Sequence, residues 1–473
     1  MLMIADVIEA LSKCRPNWGR VAISCAVVDS RNVKKNSMFV AVPGDQVDGH
    51  DYVSDAFDNG AVVALVQKEL PKCYRVLDVN NITFDDLSAS LEIPFCIKTE
   101  STIEALQQTA RFWRARLNPR IIGITGSVGK STTKEVSAEV LSQRYRTIKN
   151  PGNLNNEIGL PLSILRMTEE HQRGIFEMGF YVPGEIAFLC DIANPQVGVV
   201  TNIGTVHAER AGSIEAIAEG KSELVQALPS DPEGVAILNY DDPLVKNMAN
   251  KTKARIFFYG IDPEADLWAD NVEGLGLDGI RLRLHYRDEI HYMRVPLIGR
   301  HSVHTVLRAA ALGLVEELSW QEIVDGLHSG KAQLRLVAVQ SAEGALLLDD
   351  TYNASPESTL AALNLLDELG GNKIAVLGDM LELGKYEIEG HKMVGARAAE
   401  VVNELVTVGE RAKIIAETAG KSGLDKKAIT ELGDSYQAIE LLKNRLDEND
   451  VVLIKGSHGM RMDRIVSALE QSE

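Results

Sequence analysis

Residues 121–133, IIGITGSVGKSTT, have the residue types and the spacing of a phosphate-binding loop. An apolar run typical of a buried strand leads into a glycine-rich turn, and a helix-like stretch follows. Gly126 and Gly129 allow a tight turn whose backbone N–H groups can face phosphate oxygens. Lys130 can reach the terminal phosphates of a nucleotide, and the Ser131 hydroxyl can ligate Mg²⁺. A helix N-terminus behind the turn adds a favourable dipole for anions, so the segment predicts a nucleoside triphosphate site.

One position of the loop departs from the common pattern. The form G-x-x-x-x-G-K-[ST] would place a glycine at position 124, where this chain has Ile124, and the nearest earlier glycine is Gly123. The alternative is a plain glycine turn between a strand and a helix, followed by a chance lysine. The order of strand, turn, Lys-Ser and helix favours the nucleotide site.

The length and the charge of the chain limit the classes of function that it can have. With 473 residues it is long enough for about two to four domains. Its formal net charge of −18, together with the lack of a basic patch, argues against nucleic-acid binding. No run of about 18 apolar residues occurs, so no membrane insertion is expected.

The cysteines and the first residues favour a cytoplasmic protein. The five cysteines show neither Cys-x-x-Cys spacing nor a disulfide framework, as expected in a reducing compartment. Asp6 and Glu9 lie in a segment without a long apolar run, so no signal peptide is expected.

Alternating strand-like and helix-like segments predict an α/β protein of three domains, at residues 1–118, 119–331 and 332–473. In the first domain, strands are predicted at 38–42 and 61–66. A capping box, Ser101 to Glu104, opens a helix that Asn118-Pro119 ends.

The second and third domains are predicted to contain parallel sheets. In residues 119–331 the strand before the loop is joined by buried-strand candidates at 174–178 and 197–203, which indicates a phosphate-loop ATPase-type sheet. Residues 332–473 alternate strand and helix again, which predicts a Rossmann-like, doubly wound domain. Its candidate elements are strands at 345–349, 373–377, 405–408 and 451–455 and a helix from Pro356.

Polar residues follow two predicted strands of the central domain. Glu177 ends one strand, and Asn202 and His207 follow another. The carboxyl ends of parallel strands meet at one edge, where ligands bind, so Glu177 and His207 could join Ser131 around Mg²⁺. Taken singly, each is more often a surface or hydrogen-bonded residue, and only the shared position favours the metal site.

The whole chain resembles the Mur ligase family. The motifs that carry the resemblance are DSR (29–31), MFVAVPG (38–44), DGHD (48–51), GSVGKSTT (126–133), GNLNNEIGLP (152–161), EMG (177–179), NIG (202–204), His207, DDTYNASP (349–356), LGDMLELG (377–384), His391 and KGS (455–457). The runs at 153–156 and 349–353 resemble the branch of the family that adds D-alanyl-D-alanine.

The resemblance implies an ATP-dependent ligase of peptidoglycan precursor synthesis, and hence of cell-wall biogenesis, cell shape and cell division. ATP would phosphorylate the terminal carboxylate of UDP-N-acetylmuramoyl-tripeptide, and the amine of D-alanyl-D-alanine would attack the acyl phosphate. Two anions must then approach in line, so Mg²⁺ and Lys130 must offset their repulsion. A monomer is expected.

The resemblance also assigns catalytic roles to Lys130, Glu177, His207 and Lys221. Lys221 lies in a helix-like stretch, residues 213–228, where a solvated lysine is the alternative. Mur ligases carry a carbamylated lysine at the matching position, and burial can lower the pKa of a lysine enough for it to react with CO₂. As a carbamate, Lys221 would help to hold a second Mg²⁺, and the residues assigned to metal are then Ser131, Glu177, His207 and Lys221.

The remaining assignments follow by position in the family's motifs. The residues assigned to ATP are Thr125, Gly126, Ser127, Val128, Gly129, Lys130, Ser131, Thr132, Asn239, Arg335 and Asp350. The residues assigned to the other substrates are Ser30, Arg31, Asp48 and His50, expected at the uridine or diphosphate, Asn155 and Asn156, expected near the reacting end of the UDP-substrate, and Tyr352, Asn353 and Lys455. The alternatives are turn residues for the Asn and Asp positions and a surface ion pair for Arg335.

The chain departs from the family at two places. Ser302 and Thr305 stand where asparagines are usual, which puts adenine-side contacts in doubt. His458 and Gly459 follow the KGS motif, and His458 replaces the usual arginine, which weakens a cationic contact.

Two other functions remain open. One is a ligase of the same superfamily that adds a different amino acid, and the other is a phosphate-loop kinase or NTPase. The third residue of the tripeptide, lysine or diaminopimelate, is also open.

Overall fold

The computed structural model describes residues 1–44, 47–83, 88, 91–206, 208–329, 337–443 and 445–470. Within these residues the strands form three sheets, of five, nine and six strands, in chain order. The sheets belong to three domains in which helices pack against mostly parallel strands, so the predicted three-domain α/β fold is confirmed. None of the described helices combines the length and the apolarity needed to span a bilayer.

The N-terminal domain has a parallel sheet with the strand order β1-β2-β3-β5-β4. Its strands are β1 (Ala26–Val27), β2 (Ser37–Val40), β3 (Ala61–Val66), β4 (Val76–Asp78) and β5 (Phe95–Lys98). Its helices are α1 (Ile4–Ser12), α2 (Val53–Asp58) and α3 (Thr102–Arg116). Strand β3 is buried along its whole length because its alternate side chains, such as Val63 and Ala64, enter two separate cores. One of the two hydrogen bonds of the predicted capping box is found: the Ser101 side chain accepts from the Glu104 N–H and opens α3.

The central domain has a mixed sheet. Its strands are β6 (Arg120–Thr125), β7 (Thr147–Lys149), β8 (Arg173–Glu177), β9 (Val197–Val200), β10 (Val235–Asn239), β11 (Arg255–Gly260), β12 (Leu267–Gly274), β13 (Ile280–Tyr286) and β14 (Glu289–Val295). The strand order is β14-β13-β12-β11-β10-β9-β6-β8-β7, and pairing is parallel except for β12-β13-β14. The prediction of a parallel sheet therefore missed an antiparallel extension. In this extension buried and exposed residues alternate, since one face is packed and the other meets water.

Helices cover both faces of the central sheet. They are α4 (Lys130–Ser142), α5 (Gly159–Ile164), α6 (Glu185–Ala193), α7 (Ala208–Ala211), α8 (Ile214–Gln226), α9 (Pro243–Lys246), α10 (Val303–Val315) and α11 (Trp320–His328). Ile121 of β6 packs into the core shared with the N-terminal domain, whereas Ile122 packs on the opposite face, against α4 and α10.

The C-terminal domain has the strand order β15-β16-β20-β17-β18-β19, with only β15 antiparallel in the part of the chain that is described. Its strands are β15 (Val337–Gln340), β16 (Leu346–Asp350), β17 (Asn372–Gly378), β18 (Glu404–Val408), β19 (Ile429–Leu432) and β20 (Asp450–Lys455). Its helices are α12 (Pro356–Glu368), α13 (Glu387–Val401), α14 (Lys413–Lys421), α15 (Ser435–Leu442) and α16 (Asp463–Leu469). The alternation predicted from sequence is present, with a helix beginning at Pro356.

The register of the strands brings the polar residues together. Ile124 of β6 pairs with Glu177 at the end of β8, and Thr125 pairs with Val200 at the end of β9. In the C-terminal sheet Asp350 pairs with Lys455, each at the end of its strand. The carboxyl edges of two sheets therefore supply the side chains of one site.

Candidate active site

The loop after β6 has a conformation that requires glycine. Gly126 and Gly129 have φ angles of 142° and 84°, and a Cβ added to Gly126 would lie 1.8 Å from the Thr201 hydroxyl. That hydroxyl donates to the Val128 carbonyl at 2.7 Å, and the Val128 N–H donates to Asn202 Oδ1 at 2.9 Å. The end of β9 thus fixes the loop, and α4 begins at Lys130 behind it.

Two lysines converge on one carbonyl oxygen of the loop. Lys130 Nζ donates to the Gly126 oxygen at 2.8 Å and to the Ser127 oxygen at 3.2 Å. Lys221 Nζ donates to the same Gly126 oxygen at 2.9 Å and lies 4.7 Å from the centre of the Phe180 ring. Lys221 is only 1% exposed, and burial, aided by the charge of Lys130, lowers its pKa well below the usual value. Lys221 is therefore not the solvated lysine of the alternative interpretation.

The helix that carries Lys221 packs unusually close to the ring of Phe180. Helix α8 begins at Ile214, after Ser213, whose side chain accepts from the Ala216 N–H at 3.1 Å and caps the helix. A Cβ on Gly220 would lie 2.1 Å from the Phe180 ring. Glycine at position 220 therefore permits the contact that buries Lys221.

Glu177 lies beside Ser131. Its Oε2 accepts from the Ser131 hydroxyl at 2.5 Å, and its Oε1 accepts from Asn155 Nδ2 at 2.9 Å. Glu177 is 1% exposed. A hydroxyl and a carboxylate next to the phosphate loop are the hard oxygen ligands that Mg²⁺ prefers, so these residues fit that ion. The third predicted ligand, His207, lies outside the described residues.

Lys134, one helical turn after Lys130, is a buried residue that sequence reasoning missed. Its Nζ donates to the Asn150 oxygen at 2.8 Å and to the Gly152 oxygen at 2.9 Å, and lies 4.0 Å from Glu177 Oε2. These bonds hold the segment 150–152, which leads to Asn155, in place. A lysine on the otherwise buried side of α4 was the signal in the sequence.

The C-terminal domain supplies the opposite wall of a cleft. Lys455 Nζ donates to Asp350 Oδ2 at 2.6 Å and to the Asn353 oxygen at 2.8 Å. The cleft has a volume of about 410 Å³. Its lining includes loop residues 127–132, Asn202, Asn239, Arg308, Asp350, Tyr352, Asn353 and Lys455. Most residues assigned to ATP and three assigned to the other substrates thus lie around one cavity, whereas Arg335 lies outside the described residues.

The central and C-terminal domains, which form the two walls of the cleft, also touch beside the phosphate loop. Glu357, at the start of α12, accepts hydrogen bonds from the backbone N–H of Thr205 at 3.2 Å and from its hydroxyl at 3.3 Å. A Cβ on Gly204 would lie 2.9 Å from the same carboxylate oxygen. This wall contact joins the C-terminal domain to the segment after β9.

Two of the residues assigned to the UDP substrate are occupied by internal bonds. His50 Nδ1 lies 2.6 Å from Asp48 Oδ1, and His50 Nε2 accepts from the Gln67 N–H at 3.0 Å, which places the ring proton on Nδ1. Lys68 also bonds Asp48, and these donors, Lys68 first, lower the pKa of Asp48 far below its usual range. Asp48 and His50 therefore fasten their loop in the described structure.

Ser30 and Arg31 lie after β1, at the same carboxyl edge. The Arg31 side chain is 87% exposed and pairs with Asp29 at 2.7 Å. Ser30 is buried, and its carbonyl accepts from Asn59 Nδ2 at 3.2 Å. Of these two residues, Arg31 is the one whose side chain is accessible from solvent.

Several predicted site residues hold the backbone in place. Asn156 Oδ1 accepts from the Gly159 N–H at 2.8 Å, at the start of α5. Asn239 Nδ2 donates to the Thr201 oxygen at 3.0 Å, and the Thr125 hydroxyl donates to the Met178 oxygen at 3.2 Å. These bonds tie together the segments that follow the central strands.

The residues that depart from the family pattern also have partners. The Ser302 hydroxyl donates to the Ile298 oxygen at 2.8 Å, and the Thr305 hydroxyl accepts from Arg308 at 3.0 Å. The His458 ring lies 6.3 Å from that of Tyr352. Ser302 and Thr305 line the cleft, as does Arg308, which sequence reasoning missed.

Comparison with known proteins places this architecture in a family. The chain matches the models of the Mur ligase middle domain at residues 124–313, of the "Mur ligase, glutamate ligase domain" at 334–458, and of the "Mur ligase family, catalytic domain" at 22–92.

Relatives match over nearly the full length. The chain is 32% identical to UDP-N-acetylmuramoyl-tripeptide–D-alanyl-D-alanine ligase of Bacillus subtilis, over 99% of this chain and 98% of that protein. It is 31% identical to the Escherichia coli enzyme of the same name, over 96% and 95%.

Solved structures agree. MurF from Acinetobacter baumannii superimposes with a TM-score of 0.80 at 28% identity, covering 98% of this chain and 97% of that one. MurF ligase from Thermotoga maritima in complex with ADP gives 0.76 at 27% identity, covering 97% of both chains. With the phosphate loop, the buried lysine and the cleft in place, these matches show that the chain belongs to the Mur ligase family.

Proposed function

We propose that this chain is an ATP-dependent ligase that joins D-alanyl-D-alanine to UDP-N-acetylmuramoyl-tripeptide, giving the pentapeptide precursor of peptidoglycan. The observation that carries the proposal is the similarity, over nearly the whole chain, to ligases of that name. The cleft between the phosphate loop and the Asp350–Lys455 pair supports it, because a ligase must hold a triphosphate and two further reactants in register.

The reaction has two steps. A carboxylate oxygen of the tripeptide attacks the γ-phosphorus of ATP, the bond to the bridging oxygen breaks, and ADP leaves. The neutral amine of D-alanyl-D-alanine then attacks the acyl carbon, the carbon–oxygen bond to phosphate breaks, and the amine releases a proton. Lys130 neutralises charge at the terminal phosphates, and the backbone N–H groups of the loop orient them.

Ser131 and Glu177 are the described residues that would hold Mg²⁺. Their oxygens are 2.5 Å apart at the phosphate end of the loop, and His207 is proposed as a further ligand. When bound, Mg²⁺ supplies positive charge at the phosphate oxygens. Asn155 bonds the second oxygen of Glu177 and so orients the carboxylate.

Lys221 is proposed to carry a carbamate. Burial lowers the pKa of the Lys221 amine and so favours its neutral form, and a neutral amine adds to CO₂ with loss of one proton. The product is an anion beside Lys130, and the ammonium group of Lys130 attracts it. We expect a carbamate carbon signal in ¹³C-bicarbonate NMR of the enzyme, which Lys221→Arg removes and Lys134→Arg retains. A Lys221 ammonium seen in a nucleotide-bound crystal at neutral pH would contradict the assignment.

The remaining parts of the proposal concern the outer domains. Residues 1–118 bind the UDP moiety, with Arg31 as the accessible cation for its diphosphate and Ser30 beside it. Residues 119–331 bind ATP, and residues 332–473 complete the site. Because ATP and UDP-linked substrates are cytoplasmic metabolites, the enzyme works in the cytoplasm, and we expect a monomer.

The test is ATP-dependent phosphate release with UDP-N-acetylmuramoyl-tripeptide, with and without D-alanyl-D-alanine, followed by product mass. Release that requires both substrates and yields the pentapeptide is expected. Lys130→Met should abolish release, whereas Lys421→Met, at an exposed position on α14, should not. Release with a single amino acid would indicate another ligase of the superfamily, and release without an amine would indicate a kinase or NTPase.

A further inference from the structure

Arg308 is a buried cation in the wall of the cleft. It lies on α10, is 3% exposed, and lines the cleft together with the phosphate loop. Its Nε donates to the Thr133 hydroxyl at 2.7 Å, and its Nη2 donates to the Thr305 hydroxyl at 3.0 Å. The Thr133 hydroxyl in turn donates to the Gly129 oxygen at 2.7 Å, so the guanidinium is held against the turn of the loop.

The charge of Arg308 has no carboxylate partner within the described part of the chain. A guanidinium stays charged at any ordinary pH, and two hydroxyls satisfy only part of its five N–H groups. Burying a charge without a counter-charge is costly. An anion in the cleft would remove this cost.

Arg114, a second buried arginine near a domain junction, shows what a structural role looks like. Arg114 donates to the Ala193 oxygen at 2.8 Å and the Leu117 oxygen at 3.1 Å, and more weakly to two further carbonyls. These oxygens lie at the ends of α6 and α3, where the helix dipole supplies negative charge. The guanidinium of Arg308 instead donates to two neutral hydroxyls and lies 5.8 Å from the centre of the Tyr259 ring, in the wall of an open cleft.

The position of Arg308 identifies the ligand group. Its Nη2 lies 3.0 Å from the place of a Cβ on Gly129, at the end of the loop that leads into α4. Lys130 instead turns toward Gly126 and Ser127, at the other end of the turn. In phosphate loops the lysine serves the β- and γ-phosphates while the turn cradles the α- and β-phosphates. The two cations would therefore lie at opposite ends of a phosphate chain bound along the turn.

We infer that Arg308 is a nucleotide-binding residue that contacts the phosphate nearest the ribose. The inference rests on the proposed binding of ATP in this cleft. Thr305, which stands where Mur ligases usually have asparagine, serves here as a support for Arg308. The departure at position 305 thus belongs to a different way of holding the nucleotide.

The test is calorimetric titration of the full-length enzyme with ADP, AMP and adenosine. Arg308→Gln should weaken ADP and AMP binding about 10- to 100-fold, as for the loss of a charge-assisted hydrogen bond, and leave adenosine binding unchanged. Arg308→Lys keeps the charge without the planar fork and should lose part of the affinity. The KM for ATP should rise while the KM for the tripeptide stays constant.

Arg281→Gln is the matched control, because Arg281 is an exposed arginine of β13 that pairs with Glu273. Its ADP affinity should equal that of the unaltered enzyme. Equal losses of ADP and adenosine affinity in Arg308→Gln, or no loss, would overturn the inference. If Arg308→Gln does not fold, Arg308→Lys decides with the same readouts. Failure of the unaltered enzyme to bind ADP would instead refute the proposed function.

Discussion

Replacing each partner of the Asp350–Lys455 pair should have unequal effects on the C-terminal domain. The Lys455 side chain is 2% exposed and that of Asp350 is 16% exposed, with the charged atoms 2.6 Å apart. Asp350→Ala leaves a buried ammonium that keeps only the Asn353 oxygen as a partner. Lys455→Met leaves a carboxylate at the edge of the cleft, where water can reach it.

The magnitudes follow from burial. Removing one partner of a buried pair costs about 3–5 kcal/mol, and the partial exposure of Asp350 places Asp350→Ala near about 3 kcal/mol. Lys455→Met loses a charged hydrogen bond but also removes a buried charge, so about 1 kcal/mol is expected. The double variant should be more stable than Asp350→Ala alone, because no buried charge remains.

Hydrogen–deuterium exchange of peptides from β16 and β20 measures this locally, which a multidomain protein requires. The difference of about 2 kcal/mol corresponds to roughly 30-fold faster exchange in nucleotide-free Asp350→Ala than in Lys455→Met. If Lys455→Met proves as costly as Asp350→Ala, or if the double variant is the least stable, the account of this pair is wrong.

Three further outcomes are expected. Gly220→Ala should force its helix away from the Phe180 ring, lowering the melting temperature and the rate of phosphate release, whereas Gly370→Ala, with open space around it, should change neither. His391 is fully buried, and burial lowers its pKa. As the pH falls, His391 is therefore protonated in the unfolded chain before it is protonated in the folded one. Its contribution to the unfolding free energy of the C-terminal domain is constant above about pH 6.5. Below that pH the free energy should decrease by at most about 1.4 kcal/mol per pH unit. Stability that stays flat from pH 7 to pH 5 would contradict this. Chelation of Mg²⁺ should abolish phosphate release, restored by added Mg²⁺, and Glu177→Gln should raise the Mg²⁺ concentration needed; an unchanged requirement would exclude Glu177 as a ligand.

The sequence predicted the elements whose signals are local. The predicted strand 61–66 matches β3, and the helix at Pro356 begins where proline and Ser355 favour it. Glu177 was expected beside Ser131 because parallel strands end at one edge, and the two side chains are in contact. Such features depend on periodicity, caps and topology, which a single sequence contains.

Features that depend on tertiary contacts were not predicted from the residues. The antiparallel strands β12 to β14 read as weak, half-exposed segments, and only their pairing makes them a sheet. Lys134 and Arg308 look like solvated cations on helices, because Asn150 and Thr133, to which they donate, are distant in sequence. The hydrogen bond from the Gln67 N–H to His50 likewise joins two segments that are separate in sequence. His50, a candidate substrate-binding residue, therefore holds its loop in place.

The contact between Glu357 and Thr205 has a consequence for inhibition. A molecule that touches both the loop and the Asp350–Lys455 wall keeps one set of contacts as long as the two domains stay together, and parting of the domains breaks the contact between Glu357 and Thr205. Its residence time then depends on the rate of that opening as well as on its own bonds. A compound that bridges both walls, or one that ties Glu357 to the segment after β9, would gain persistence without any increase in its association rate.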